Sequence, residues 1–229
     1  MWVINRLMKK IFFIVFVLNG IQSFSQDLIF YLESKGAIGI GGILNGSVEF
    51  NNQSIALIGN AGIGGNVVYD EKVGLSLDVL FGNHVAKYRG LQDQINPDQT
   101  YSSKISMFST QIPLLLLLPN EEGYIALGPQ LNIMQGITYS SSNSLGNNSN
   151  VNDYYRNTNW SGVLELGRYN QFGRGPVSLI TAARFNFGFS DIGGVNPEGI
   201  PYTFLPQKNR STIYSASFVV GLLYQLRHI

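Results

Sequence analysis

Between Lys72 and Lys87 the chain switches polarity at nearly every residue. Val73, Leu75, Leu77, Val79, Phe81 and Val85 hold one parity, and Lys72, Gly74, Ser76, Asp78, Gly82 and His84 hold the other. Only an extended strand with one apolar face reads that way, because successive side chains of a strand point to opposite sides. The pattern recurs. Val177, Leu179, Ala183, Phe185, Phe187 and Phe189 oppose Ser178, Ala182, Arg184, Asn186 and Ser190. Tyr214, Phe218, Val220, Leu222, Tyr224 and Leu226 oppose Ser215, Ser217, Gly221, Gln225 and Arg227.

Eight segments carry strand signals: Leu28–Gly41, Ser54–Tyr69, Lys72–Lys87, Ser102–Leu118, Tyr124–Tyr139, Thr158–Asn170, Pro176–Ser190 and Thr212–His228. Most exceed the roughly 9–11 residues that a tilted strand needs to cross a bilayer. Their links alternate in length. Asp70-Glu71, Pro119–Gly123 and Gln171–Gly175 are short, whereas Gly42–Gln53, Tyr88–Tyr101, Ser140–Asn157 and Asp191–Ser211 are long and polar. Outer-membrane barrels alternate in this way, with tight periplasmic turns and long extracellular loops. The expected fold is therefore all-β: an eight-stranded antiparallel up-and-down transmembrane barrel with four long extracellular loops, short periplasmic turns and both termini on the periplasmic side.

Composition agrees. Charged residues make up 13% of the 229, about half the roughly 25% of a typical soluble domain. No segment after the leader offers the ~18 unbroken apolar residues of a membrane helix. Net charge is +1, which gives no basic field for nucleic acid. Cysteine is absent, so there is no disulfide, no thiolate metal site and no lipidated N-terminal cysteine.

The first residues read as an export signal. Arg6, Lys9 and Lys10 precede the apolar run Ile11–Leu18, and Ser23-Phe24-Ser25 supplies small residues for a signal peptidase. Cleavage is expected after Ser25, leaving residues 26–229 as the barrel in the outer membrane; Met8 is an alternative start.

Facing the apolar parity toward lipid puts Glu33, Lys35, Asp78, Glu165, Arg184 and Arg227 inside. The opposite choice would expose them to hydrocarbon at up to roughly 2–4 kcal/mol per base near the midplane. These three acids and three bases can pair across the lumen, with Arg184 and Arg227 neutralising Asp78 and Glu165. An eight-stranded barrel is only wide enough for its own side chains to fill, so a structural plug is the leading expectation. A gated narrow pore or proton path is the functional alternative. Gly59, Gly62, Gly64 and Gly65 fit a strand that leaves room for long lumenal side chains.

Tyr69, Tyr139, Trp160, Tyr169, Tyr214 and Tyr224 lie toward predicted strand ends and are expected to form interfacial girdles. Pro113 and Pro129 fall within strands and predict local bulges. The Ser- and Asn-rich stretch of Ser140–Asn157 is expected to be a solvated, mobile loop. His84 and His228, the two histidines, make no metal pattern and have no identifiable Ser/Asp constellation for catalysis.

Several stretches resemble the small outer-membrane β-barrel domain family, porin-like and PorT-like, of Bacteroidetes-type bacteria. They are Ser76-Leu77-Asp78-Val79-Leu80-Phe81, Gln111-Ile112-Pro113-Leu114-Leu115, Tyr124-Ile125-Ala126-Leu127-Gly128-Pro129, Arg184-Phe185-Asn186-Phe187-Gly188 and Ser217–Leu226. The chain departs from the usual aromatic terminus by ending Arg227-His228-Ile229. The resemblance implies fold and location, with no catalytic residues and no cofactor. The leading functional expectation is a non-enzymatic structural or surface-binding barrel that acts through its long loops. The alternatives are a narrow channel or a PorT-like accessory of a secretion system, and then a lipid-modifying enzyme. The implied partners are outer-membrane lipid, the barrel-assembly machinery, and a surface ligand or secretion component.

Overall fold

The computed structural model describes residues 28–45, 53–92, 98–121, 123–142, 149–171, 175–193 and 211–228. The expected leader, residues 1–25, lies outside them. Eight long strands form the wall: β1 (Leu28–Asn45), β3 (Ala56–Tyr69), β4 (Val73–Gln92), β5 (Thr100–Pro119), β6 (Tyr124–Ser141), β8 (Thr158–Gln171), β9 (Val177–Gly188) and β10 (Ser211–His228). Two short strands, β2 (Gln53–Ser54) and β7 (Ser149–Asn150), pair onto β4 and β6 at the long-link end. Each wall strand pairs antiparallel with the wall strands before and after it, and β1 pairs with β10, so the eight wall strands close into a ring. This is an up-and-down eight-stranded barrel.

Backbone pairing carries the strands beyond their predicted ends. β1 continues to Asn45 and β4 to Gln92, while β5 already begins at Thr100. The first two long links are accordingly shorter than the sequence suggests. A backbone ladder needs no apolar side chain, so strand and apolar band end at different places.

The short turns are tight for a local reason. Asp70 and Glu71 both have positive φ, 49° and 53°, and Lys72 N–H donates to the Tyr69 carbonyl at 3.0 Å. That is the two-residue turn whose twist matches a right-handed hairpin. The Lys72 ammonium and the Asp70 carboxylate pair across it.

The expected bulges at Pro113 and Pro129 do not form. The β4–β5 ladder skips from Leu77↔Leu114 to Leu80↔Gln111, and the β5–β6 ladder from Pro113↔Gln130 to Leu116↔Leu127, each resuming in unchanged register. A missing N–H therefore opens a gap on one side only, and the closed neighbours hold the strand straight. The irregularities lie at Phe30/Tyr31, Phe108/Ser109 and Tyr88/Leu91, the last beside Gly90 with φ 67°.

Outward residues form an apolar belt. Val73, Leu75, Leu77, Val79 and Phe81 on β4 are exposed, as are Leu114, Leu116 and Leu118 on β5 and Phe218, Val220, Leu222, Tyr224 and Leu226 on β10. Val85 shares the outward parity yet is buried. Water-soluble monomers rarely expose contiguous apolar patches above a few hundred Å². A closed ladder with such a belt is the form in which strands satisfy their backbone inside hydrocarbon. The barrel is a transmembrane one.

Candidate functional site

The lumen is filled, and its filling is layered. Near the short turns Leu115, Leu117, Tyr124, Ala126, Val163, Ile180, Ala182, Val219 and Leu223 form one buried apolar cluster, joined by Val68. Toward the long links a second cluster gathers strand residues such as Tyr88, Ile105, Met107, Ile137 and Ile213. It also takes in three residues of the links themselves: Val151, Tyr155 and Ile192.

These links are tied over the mouth. Val151 N–H donates to the Ile137 carbonyl at 3.0 Å, Arg156 N–H to the Ile192 carbonyl at 3.0 Å, and Ile192 N–H to the Ser211 carbonyl at 2.9 Å. A turn of 3-10 helix spans Asn152–Tyr154, and Asn152 Oδ1 accepts from Ile137 N–H at 2.6 Å. The second half of Ser140–Asn157 is thus an ordered plug rather than the solvated loop that its composition suggests. Burial of Val151 and Tyr155 supplies the apolar anchor that a count of Ser and Asn hides. Residues 143–148 lie outside the described residues.

The charges sit beside the turn-side cluster. Glu33 and Lys35 come from β1, Asp78 from β4, Glu165 from β8 and Arg184 from β9; all five are at most 6% exposed. Lys35 Nζ lies 2.8 Å from Glu33 Oε1, 3.3 Å from Asp78 Oδ2 and 3.7 Å from Glu165 Oε1. Arg184 reaches the same Asp78 Oδ2 at 3.3 Å through Nη2, and Glu165 Oε2 at 2.5 Å through Nε. Neutral donors complete the cage. Tyr124 donates its hydroxyl to Glu165 Oε1 at 2.5 Å, Ser76 to Glu33 Oε1 at 3.1 Å, and Asn66 Nδ2 to Glu33 Oε2 at 3.1 Å. Buried charges at this density are tolerated only with such partners.

Arg184 therefore bridges Asp78 and Glu165, as expected of it, and Lys35 is a second base that touches both acids. The Arg227 side chain lies outside the described residues. Among the described residues the cluster holds three carboxylates and two bases. Tyr124, Ser76 and Asn66 carry no sequence signal for this role, since only the register shows which hydroxyl or amide meets which carboxylate. Gly64 is part of the cage too: a Cβ there would fall 2.1 Å from Asp78 Oδ1. At Gly167 a Cβ would fall 2.4 Å from the Tyr124 ring.

A neutral polar layer lies further along β4, β5, β6 and β8. His84 and Gln111 meet at 3.1 Å through His84 Nε2 and Gln111 Nε2. Asn132 donates to Asn159 Oδ1 at 2.6 Å and to Ser161 Oγ at 3.1 Å. The partner described for His84 is thus an amide. The backbone of His228 ends β10, and its side chain lies outside the described residues. No group of three or more His, Cys, Asp or Glu among the described residues is arranged to hold a metal ion.

The expected aromatic girdle is only partly on the outside. Tyr69, Trp160 and Tyr224 are exposed on the outer surface, and Tyr214 is half-buried on the outward parity. Tyr139 instead belongs to the mouth cluster. Tyr169 turns inward and stacks on Tyr124, with ring centroids 4.7 Å apart. Position near a strand end sets depth along the axis, but parity decides the side. Tyr169 shares the lumenal parity of Glu165 on β8. On β6 the ladder steps from Ser109↔Met134 to Phe108↔Gly136, and the extra residue, Gln135, reverses the parity beyond it and turns Tyr139 inward.

At the short-turn end the barrel opens into a cavity of about 900 Å³. Tyr31, Asn66, Val68, Tyr169 and Leu223 line its interior, and residues of all three short turns, among them Asp70, Glu121 and Pro176, ring it. Its lining includes Val68 and Leu223 of the turn-side apolar cluster and Asn66, the partner of Glu33, but none of the five clustered charges.

No known protein family matches the sequence, and neither does any curated protein. Comparison with solved structures returns bacterial barrels. Neisserial surface protein A aligns over 86% of this chain and 97% of its own, with 12% identity and a TM-score of 0.43. Ail, the attachment invasion locus protein of Yersinia pestis, solved with the heparin analogue sucrose octasulfate, aligns over 86% and 99% with 9% identity and a TM-score of 0.40. The translocator domain of the autotransporter NalP from Neisseria meningitidis aligns over 92% and 92% with 12% identity and a TM-score of 0.31.

Proposed function

We propose that this protein is an exported outer-membrane barrel that acts without catalysis, as a structural or surface-binding component presenting its long-link end outside the cell. The observation that carries the reading is the stacking of fillings inside the wall. A five-charge cage and an apolar layer close the lumen from the turn side, and Val151, Tyr155 and Ile192 close it from the other. An ion entering this path would have to break paired charges and then cross an apolar layer. With the interior committed to structure, the surfaces left for function are the rim and the links, as is usual where a rigid frame carries exposed connections.

Planar-bilayer recording tests the reading. Purified protein in molar potassium chloride should insert without stable unitary current steps. Reproducible steps of one size would contradict it and favour the narrow channel.

A further inference from the structure

At the long-link end, above the apolar belt, the register brings like charges face to face. Lys87 on β4 pairs directly with Lys104 on β5. Lys104 in turn faces Ser140 on β6, and Lys87 faces Ser54 on β2. The row Ser54–Lys87–Lys104–Ser140 thus crosses four strands at one level. Like charges directly opposite on neighbouring strands repel unless something of opposite sign sits between them.

A cavity of about 220 Å³ lies at this place, lined by Lys87, Tyr88, Arg89, Lys104 and the serines at 102, 103 and 140–142. Its lining carries three bases and no acid. Among the described residues, no carboxylate forms an ion pair with Lys87, Arg89 or Lys104. Converging ammonium and guanidinium groups with hydroxyl donors are the chemistry that holds a tetrahedral oxyanion.

We propose that the Lys87–Arg89–Lys104 cavity binds a phosphate group of a phosphorylated glycolipid in the leaflet facing the long-link end. The inference rests on the outer-membrane reading above. Direction of the side chains selects the lipid over a free anion. Lys87 follows the outward parity of Val73–Phe81 on β4, and Lys104 that of Leu114–Leu118 on β5. Both bases therefore emerge on the face that meets lipid. Long basic side chains there lay their methylenes along apolar neighbours and lift their charge to headgroup depth.

The test uses the full mature chain in dodecyl maltoside micelles, which contain no phosphate. Native mass spectrometry then follows retention of added lipid A or of lipid A whose phosphates have been removed. Retention of lipid A should exceed that of the dephosphorylated form by about tenfold or more, and should fall by a similar factor in Lys87→Ala/Lys104→Ala. The Lys87→Arg/Lys104→Arg variant should keep most of it. Removing a repelling pair should leave the heat-modifiable folded band intact, which separates lost binding from lost folding. Equal retention of the two lipids, or unchanged retention in the double alanine variant, would overturn the proposal. Glucose 1-phosphate binding as tightly as lipid A would overturn its assignment to a lipid. A barrel that inserts into vesicles but shows no phosphate preference fails this inference alone, whereas a chain that does not insert fails the outer-membrane reading beneath it.

Discussion

Arg184→Leu is expected to be among the most damaging single changes in the wall, costing about 3–5 kcal/mol, the usual penalty for removing one partner of a buried ion pair. Arg184 is 1% exposed, and its guanidinium contacts both Asp78 and Glu165. Its loss leaves three carboxylates around Lys35 alone. Against a typical total stability of ~5–15 kcal/mol, the folded, heat-modifiable band on gels should weaken sharply and the urea midpoint should fall. Arg184→Leu/Glu165→Leu should recover much of the loss, because replacing a buried pair by apolar groups is often close to neutral. An unchanged folded fraction in the single variant would mean that the cage does not hold the barrel together.

The second large effect belongs to the opposite face. Leu77 is exposed in the middle of the outward row Val73–Phe81. In a water-soluble protein an exposed Leu→Arg change shifts stability by at most about 0.5 kcal/mol. On a lipid-facing strand near the midplane it costs roughly 2–4 kcal/mol. Leu77→Arg should therefore lower stability in vesicles by the larger amount, read from reversible urea unfolding. Thr158→Arg, exposed at the long-link end of β8, should cost little. Equal small effects at both positions would place the belt in water.

Much of this barrel can be read from the chain. The expected strands begin within two residues of the observed ones, and at Tyr124 and Thr158 they coincide. The parity of Val73–Phe81 separates lumen from exterior by itself, because a one-residue slip would turn Asp78 into lipid and the apolar row into the lumen. Three kinds of feature escape such reading. Depth along the axis assigns Tyr139 and Tyr169 to the girdle, whereas lumenal parity, reversed for Tyr139 by the extra residue at Gln135, places both inside. The mouth plug at Val151, Tyr155 and Ile192 rests on isolated apolar residues inside polar links, too few to give a period. Contacts such as Tyr124 with Glu165, or the pair Lys87↔Lys104, depend on cross-strand register, which no single strand encodes.

The run Leu114–Leu118 offers the most direct test of a membrane barrel with a filled lumen. Leu114, Leu116 and Leu118 point outward and are exposed, whereas Leu115 and Leu117 point inward and are buried. Methyl NMR of the protein in nanodiscs, with nitroxide lipid added and then a water-soluble gadolinium chelate, reads both faces without any substitution. Nitroxide lipid should broaden the signals of Leu114, Leu116 and Leu118, spare Leu115 and Leu117, and leave the alternation unbroken, while the chelate should broaden none of the five. Uniform broadening along the run, or broadening of the outward leucines by the aqueous chelate, would contradict the account.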